Sequence, residues 1–319
     1  MPLRWGILST ANITDKLLDS GTDQEFVAVG SRDGTRAEAY AREKGIARAH
    51  GSYEALLADP DVDAIYNPLP NSLHVEWSIR ALEAGKHVLC EKPLSRRPED
   101  VERAFDVAEQ SERLLMEAFM YRHNPQTAKL KELVDGGAIG RLRLVRAAFS
   151  FPLADSGNVR LNASLDGGGL MDVGCYCVSG ARLLGGEPER VYGEQVASES
   201  GVDELFTGTM RLQGDVLAQF DSGLVLPERD ELEAIGEDGS LFLDDPWHSH
   251  RPVIELRTDG GMEEIAVERA NSYRLQLENM SDAIRGEAEP LLDREDALGQ
   301  ARAIDALYRS AAEGRPVSL

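Results

Sequence analysis

Over its first 120 or so residues the chain alternates short apolar runs with helical spacing, a rhythm that admits few folds. Leu3 to Leu8, Phe26-Val27-Ala28-Val29, Asp63-Ala64-Ile65-Tyr66, His87-Val88-Leu89-Cys90 and Leu114 to Ala118 read as strands. Helical patterns fill the gaps: Asn12 to Leu18, Thr35 to Glu43, Val75-Ile79-Leu82 at i, i+4, i+7, and Pro98 to Gln110. Strands separated by helices are joined by crossovers, and crossovers build a parallel sheet. After about residue 122 the grammar changes. A helix at Pro125 to Val134 precedes a long strand, Leu142 to Phe151, and another helix starts near Gly169. From Val191 to Val267 strand-like runs follow one another through short turns such as Gln213-Gly214-Asp215 and Glu237-Asp238-Gly239. With no crossover helix among them, these runs predict an open, largely antiparallel sheet. Two helices, Tyr273 to Ile284 and Arg294 to Ala312, close the chain. The expected fold is an α/β domain over 1–121 followed by an α+β domain over 122–319.

Charge removes whole classes of function. The 56 acids against 34 bases leave a net charge of −22, which repels phosphate backbones and anionic membranes. No nucleic-acid partner is therefore expected. Only Lys16, Lys44, Lys86, Lys92, Lys129 and Lys131 are lysines. A salt-rich cytosol and a GC-rich genome both favour that composition. No apolar run approaches the roughly 20 residues of a membrane span, and Met1-Pro2-Leu3-Arg4 leads straight into a strand, so a cytoplasmic location is expected. Three cysteines build no disulfide framework. Cys175 and Cys177 alone are too few for a metal, and no metal site is expected. Trp247 and His248, in the run Asp245-Pro246-Trp247-His248-Ser249-His250, read as ordinary loop residues.

Some residues do not fit packing alone. Lys92, in Glu91-Lys92-Pro93, stands where a buried strand gives way to a loop, a costly place for an ammonium without work to do. Tyr176 follows Asp172 by one helical turn, behind Gly167-Gly168-Gly169, and offers a proton-transfer group that a cation can tune. Asp172 reads equally well as a helix N-cap. The turn after the first strand, Ser9-Thr10-Ala11-Asn12-Ile13-Thr14, lies where a dinucleotide fold binds phosphate, although it has no glycine. The end of the second strand carries Ser31 and Arg32, with Arg36 at a helix start. Hydroxyl plus guanidinium suits a ribose 2′-phosphate, so NADP is favoured over NAD; Asp33 is the one acid near enough to argue otherwise.

Five segments in order resemble the Gfo/Idh/MocA oxidoreductases, especially the branch of NADP-dependent D-xylose 1-dehydrogenase, aldose–aldose oxidoreductase and dihydrodiol dehydrogenase. They are Arg4-Trp5-Gly6-Ile7-Leu8-Ser9-Thr10-Ala11, Tyr66-Asn67-Pro68-Leu69-Pro70-Asn71-Ser72-Leu73-His74, Glu91-Lys92-Pro93, Met116-Glu117-Ala118-Phe119-Met120-Tyr121-Arg122-His123, and Gly169-Leu170-Met171-Asp172-Val173-Gly174-Cys175-Tyr176. The resemblance implies a Rossmann-type nucleotide domain and a substrate and oligomerisation domain. It implies that Lys92 and Tyr176 form the catalytic pair with Asp172 beside them, Tyr176 taking the hydroxyl proton while hydride leaves for nicotinamide. A neighbouring cation lowers a phenol from about 10 by roughly 1 to 3 units, toward the range where a general base works.

For the cofactor the resemblance implies Ser9, Thr10, Ala11, Asn12, Ile13, Ser31, Arg32 and Arg36 at the phosphates, and Leu69, Pro70, Asn71, His74, Glu91 and Lys92 toward the nicotinamide. Arg122, His123, Asn158 and Arg160, expected at the junction of the domains, are read with Asp172 and Tyr176 as the sugar pocket. The expected activity is oxidation of a cyclic aldose at C1 to a lactone. Sugar–sugar exchange on a retained cofactor, dihydrodiol oxidation and a non-catalytic NADP-binding sensor are the alternatives. An uncovered face of the second sheet, with apolar positions, predicts a homodimer.

Overall fold

The computed structural model describes residues 3–155 and 157–319; Met1 and Pro2, where the reading of the N-terminus starts, lie outside them. The chain forms two compact units, one of Met1–Met120 with Asn271–Leu298 and the other of Tyr121–Ala270 with Gly299–Leu319. This differs from the contiguous division into 1–121 and 122–319, because the helical segment Asn271–Leu298 returns to the first unit. Nothing in a single amphipathic helix pattern states which sheet it packs against.

The first unit is built on β1 (Arg4–Leu8), α1 (Thr14–Leu18), β2 (Glu25–Gly30), α2 (Gly34–Lys44), β3 (Arg48–His50), α3 (Tyr53–Leu57), β4 (Ala64–Asn67), α4 (His74–Glu83), β5 (His87–Cys90), α5 (Pro98–Gln110) and β6 (Leu115–Glu117). All its strands pair in parallel, in the order β3-β2-β1-β4-β5-β6. That order places a topological switch point at β1 and β4, the position where open α/β sheets bind ligands beyond the carboxyl ends of their strands. The strands are near-continuous apolar runs because both faces are covered: Ile7, Leu8, Ile65, Tyr66, Val88 and Leu89 have no exposed surface. The sequence rhythm misses β3 and α3, which are short and, in β3, half-exposed.

The second unit contains α6 (Pro125–Asp135), β7 (Leu142–Ser150), α7 (Cys175–Gly185), β8 (Pro188–Ala197), β9 (Asp203–Leu212), β10 (Leu217–Gly223), β11 (Arg229–Gly236), β12 (Ser240–Leu243), β13 (Val253–Thr258) and β14 (Gly261–Ala266). Further on, α8 (Ser272–Ile284) belongs to the first unit, α9 (Arg294–Glu313) passes from the first to the second, and β15 (Val317–Ser318) ends the chain. The strands form one sheet in the order β14-β13-β12-β11-β7-β10-β9-β8-β15. It is antiparallel except where β7 and β10 run parallel.

One face of that sheet is dry, with Val145, Phe206, Met210, Ala218 and Leu232 almost fully buried and α7 packed on β7 and β10. A Cβ at Gly174, just before α7, would lie 2.6 Å from Ser222 Oγ, so the start of this helical segment approaches β10 to a distance that suits glycine. The other face is charged. It holds a concavity of about 620 Å³ lined by Arg146, Glu194, Asp221, Arg229, Glu231 and Glu233 among others. The same face carries apolar positions as well, with Tyr192 and Phe242 in the concavity and Leu217 exposed on the strand that bears Gln219 and Asp221; none of the site residues read from the sequence lines this concavity.

Candidate active site

The residues read from the sequence as cofactor contacts gather at the carboxyl ends of β1, β2, β4 and β5. Directly after β1, Ser9 has φ of +120°. An L residue rarely holds that conformation, and such strain costs on the order of 1–3 kcal/mol. The Ser9 amide donates to Gly30 O at 3.0 Å, which locks the turn onto β2. Its hydroxyl is out of solvent and has no hydrogen-bond partner among the described residues. A strained serine with an orphaned buried hydroxyl, at the switch point of this sheet, fits a turn shaped around a phosphate.

At the end of β2, Ser31 is buried and its Oγ accepts from Asp33 N at 3.3 Å. The Asp33 carboxylate caps α2, accepting from Arg36 N at 3.2 Å. That acid is therefore committed to the helix start. Arg32 and Arg36 are exposed. Both act on the buried Tyr53 phenol, which burial pushes up and the two guanidinium groups pull back.

His74 ties together the loops on which the nicotinamide contacts are expected. It is buried, with Nε2 2.6 Å from Leu69 O and Nδ1 2.9 Å from Pro93 O. The ring thus ties the loop after β4 to the loop after β5. Two carbonyls favour the imidazolium, but burial, with help from the Lys92 ammonium, outweighs them and draws the ring down to about 4. Asn67 completes the tie: its Nδ2 donates to His74 O at 3.0 Å and Ser78 Oγ at 3.1 Å, and its Oδ1 accepts from Leu69 N at 3.3 Å.

Lys92 is half-buried and sits in a segment fastened on every side. Before it, Glu91 Oε1 accepts from the Tyr66 hydroxyl at 2.6 Å, and burial together with Glu91 keeps that phenol protonated. After it, Pro93 O meets His74, and Leu94 N donates to the buried Glu117 Oε1 at 2.6 Å. The Lys92–Pro93 peptide is cis. The sequence marks Lys92 and Glu91; the anchors Tyr66 and Glu117 sit inside quoted motifs and carry no separate signal.

In the second unit Asp172 and Tyr176, read from the sequence as site residues, lie at the start of α7. Leu170–Gly174 forms a π-helical turn leading into α7, so Asp172 and Tyr176 sit at a widened turn. Asp172 does not cap the helix. Its Oδ2 accepts from Arg160 Nε at 2.6 Å, and its side chain is 15% exposed. Arg160 NH1 also reaches Asn158 Oδ1 at 3.5 Å, while that same oxygen caps the 3-10 turn Val159–Leu161. Asn158, Arg160 and Asp172 thus form one linked set.

Tyr176 is 9% exposed. Its ring lies 5.7 Å from Tyr121, 5.4 Å from Phe149 and 5.8 Å from Trp247, distances at which aromatic edges and faces attract. Trp247 corrects the reading of its loop. It has no exposed surface, donates from Nε1 to Ala148 O at 3.2 Å, and rests where a Cβ at Gly180 of α7 would meet it at 3.0 Å. His123 is half-buried in a 3-10 turn, and its Nε2 has no partner among the described residues. Burial, reinforced by Arg122, draws it down to about 3, so it is a neutral imidazole near pH 7.

Asp203, which no motif marks, organises the glycine run. Its Oδ2 accepts from Leu170 N at 2.6 Å and its Oδ1 from the Tyr308 hydroxyl at 2.8 Å. A Cβ at Gly168, where φ is +129°, would stand 2.1 Å from Asp203 Oδ1. Only glycine fits both the conformation and the space. Three consecutive glycines were the available signal that something approaches the backbone closely there.

Residues 5–119 match the oxidoreductase family with an NAD-binding Rossmann fold, and residues 127–242 match the GFO/IDH/MocA C-terminal domain. The chain is 39% identical to D-xylose 1-dehydrogenase (NADP(+)) 2 of Haloferax volcanii, covering 99% of this chain and 100% of that protein. Its fold superposes with a TM-score of 0.91 on a 3-ketoreductase from Actinomadura kijaniata in complex with TDP-benzene and NADP, at 31% identity over 97% of this chain and 98% of that one. It superposes with a TM-score of 0.90 on the aldose–aldose oxidoreductase of Caulobacter crescentus complexed with glycerol, at 28% identity and full coverage of both. The ketoreductase has also been solved with one lysine and one tyrosine replaced, and those two positions are as far apart in its chain as Lys92 and Tyr176 are here.

Proposed function

The chain belongs to the Gfo/Idh/MocA oxidoreductase family, and on that premise we propose that it oxidises the C1 hydroxyl of a cyclic aldose to the lactone with NADP as partner. NADP, when bound, accepts the hydride from the sugar's C1. Tyr176 takes the proton from the C1 hydroxyl, so a C–H and an O–H bond break and the carbonyl forms. The Lys92 ammonium stabilises the phenolate character that makes this transfer favourable at working pH. Asp172 and Arg160 hold ring hydroxyls, one accepting and the other donating, with Asn158 and Arg122 beside them. The observation that carries the reading is the Tyr176 ring fixed among Tyr121, Phe149 and Trp247 next to a carboxylate–guanidinium pair.

NADP in place of NAD is supported at the end of β2, where Ser31, Arg32 and Arg36 gather and the single nearby acid, Asp33, is spent on capping α2. Ser9 through Ile13 would hold the pyrophosphate, and Leu69, Pro70, Asn71 and Glu91 the loops about the nicotinamide. A screen of NADP⁺ and NAD⁺ reduction against pentoses, hexoses and a trans-dihydrodiol tests the reading. The expected result is NADPH formation with an aldose and at least tenfold weaker use of NAD⁺, a margin that one charge-assisted contact supplies. Turnover only of the dihydrodiol removes the sugar assignment. Protein that is purified with NADP and exchanges oxidation state only between two sugars points to the retained-cofactor reaction instead. NADP binding with no turnover of any of these leaves a sensor.

A further inference from the structure

We propose that the loop joining β12 to β13 is a binding site for a borderline divalent cation such as Zn²⁺, built by Asp245, His248 and His250 with Asp230 of β11 as the fourth donor. One ligand atom from each of Asp245, His248 and His250 lies within 4.8 Å of the others. The individual approaches are closer. His248 Nδ1 is 2.8 Å from Asp230 Oδ2 and 3.8 Å from Asp245 Oδ1, and His250 Nδ1 is 3.3 Å from Asp245 Oδ2. Four-coordinate zinc with bonds of about 2.0–2.1 Å sets its ligand atoms about 3.3 Å apart. The approaches of 2.8, 3.3 and 3.8 Å bracket that spacing, so the donors reach zinc geometry by side-chain adjustment.

Two further observations point to a cation. The rings of His248 and His250 are stacked, 5.5 Å apart and 16° from parallel, with both Nδ1 edges turned to the same carboxylate. The carboxylates of Asp230 and Asp245 are only 13% and 16% exposed, two like charges largely withdrawn from water. Asp230 pairs with His248, and Asp245 with both His248 and His250. Such a pair of acids is relieved by a bound cation. The plain alternative is that Asp245 is a loop anchor, since its Oδ2 accepts from the amides of His250 and Arg251. Both of those bonds fall on Oδ2; Oδ1 is the oxygen that faces His248. Two imidazoles and two carboxylates suit zinc and its neighbours, whereas magnesium and calcium prefer oxygen alone. The site is distinct in role from the sugar-binding set, but the same loop seats Trp247 against Tyr176. A cation there would staple the segment that backs the phenol.

The test uses the untagged full-length chain, stripped with a chelator and titrated with ZnCl₂ by calorimetry and by competition with a chromophoric chelator. We expect one zinc per chain with micromolar or tighter affinity and no competition from millimolar MgCl₂. His248→Ala and His250→Gln should each weaken zinc by at least tenfold, and the double variant should bind none. His250 is exposed, so its variant keeps the fold, and matching circular dichroism of the metal-free proteins verifies this for each. No binding at about 100 µM zinc, unaltered binding in the double variant, or equal binding of magnesium would each overturn the proposal.

Discussion

The cost of keeping Ser9 at φ +120° with a buried, unpartnered hydroxyl is borne in the free protein. Replacing it by glycine removes the strain and the orphaned hydroxyl together. Ser9→Gly should therefore raise the stability of the ligand-free chain by about 1 kcal/mol, the strain relief exceeding the entropy glycine adds to the unfolded state. The same change should weaken NADP. Thermal unfolding with and without NADP checks both effects, and an unaltered affinity would show that the hydroxyl is no ligand. Lys92→Met should abolish hydride transfer while NADP still binds, because the anchors of its loop are other residues. A variant within about tenfold of the parent in turnover would remove Lys92 from the chemistry. His74 makes a different statement, about pH. Its folded value of about 4 lies below the unfolded 6.5, so the unfolded chain binds the extra proton between those limits. Its contribution is complete above pH 6.5 and falls away as the pH drops toward 4, by ~3 kcal/mol in all. Denaturant titrations from pH 7 to 4 should show that slope, and His74→Asn should lessen it by close to one proton.

Whole elements were legible to the degree that their signals were local. The α5 helix runs Pro98–Gln110, the span its sequence predicts, because proline at its first turn and a regular apolar stripe are both properties of the segment itself. The π-turn Leu170–Gly174 was not legible: the segment reads as plain helix from Gly169, and its widening goes with the grip of Asp203, which comes from another strand. Trp247 misled for the same reason. A turn of Asp, Pro, Ser and His promises exposure, and only the space left by Gly180 on α7 makes it core. Among the candidate residues, Lys92, Asp172, Tyr176 and Arg160 stand out as chemistry-bearing types, whereas Asp203, Tyr66 and Glu117 act through contacts that no spacing encodes. Asp203→Ala consequently should lower kcat by at least tenfold with little change in NADP affinity, since it loosens the turn carrying Asp172 and Tyr176. Asp203→Asn, which can still accept from Leu170 N, should recover part of that loss. Equal damage to kcat and to NADP binding would mark a general loss of fold instead.

At the scale of the molecule, the charge of −22 also reaches the open sheet face, where Arg146 and Arg229 stand among Glu194, Asp221, Glu231 and Glu233. We propose self-association through that face, a contact in which these charges join the apolar Tyr192, Leu217 and Phe242. Light scattering should report twice 34.9 kDa at micromolar concentration, and more monomer as salt screens the facing charges. A monomer at every salt concentration would dismiss it. Among the described residues no helix is long and apolar enough to cross a membrane. The fastening of the Lys92 segment has a last consequence. Its neighbours Glu91, Pro93 and Leu94 are held by Tyr66, His74 and Glu117, while Arg160 rides on a short 3-10 turn at the surface. One part of the machinery resists drift because any slip there unfolds a sheet end. The other can be rewritten cheaply. On the proposed function, a laboratory seeking a new sugar would therefore graft into the 157–166 segment first and leave the Lys92 end unaltered.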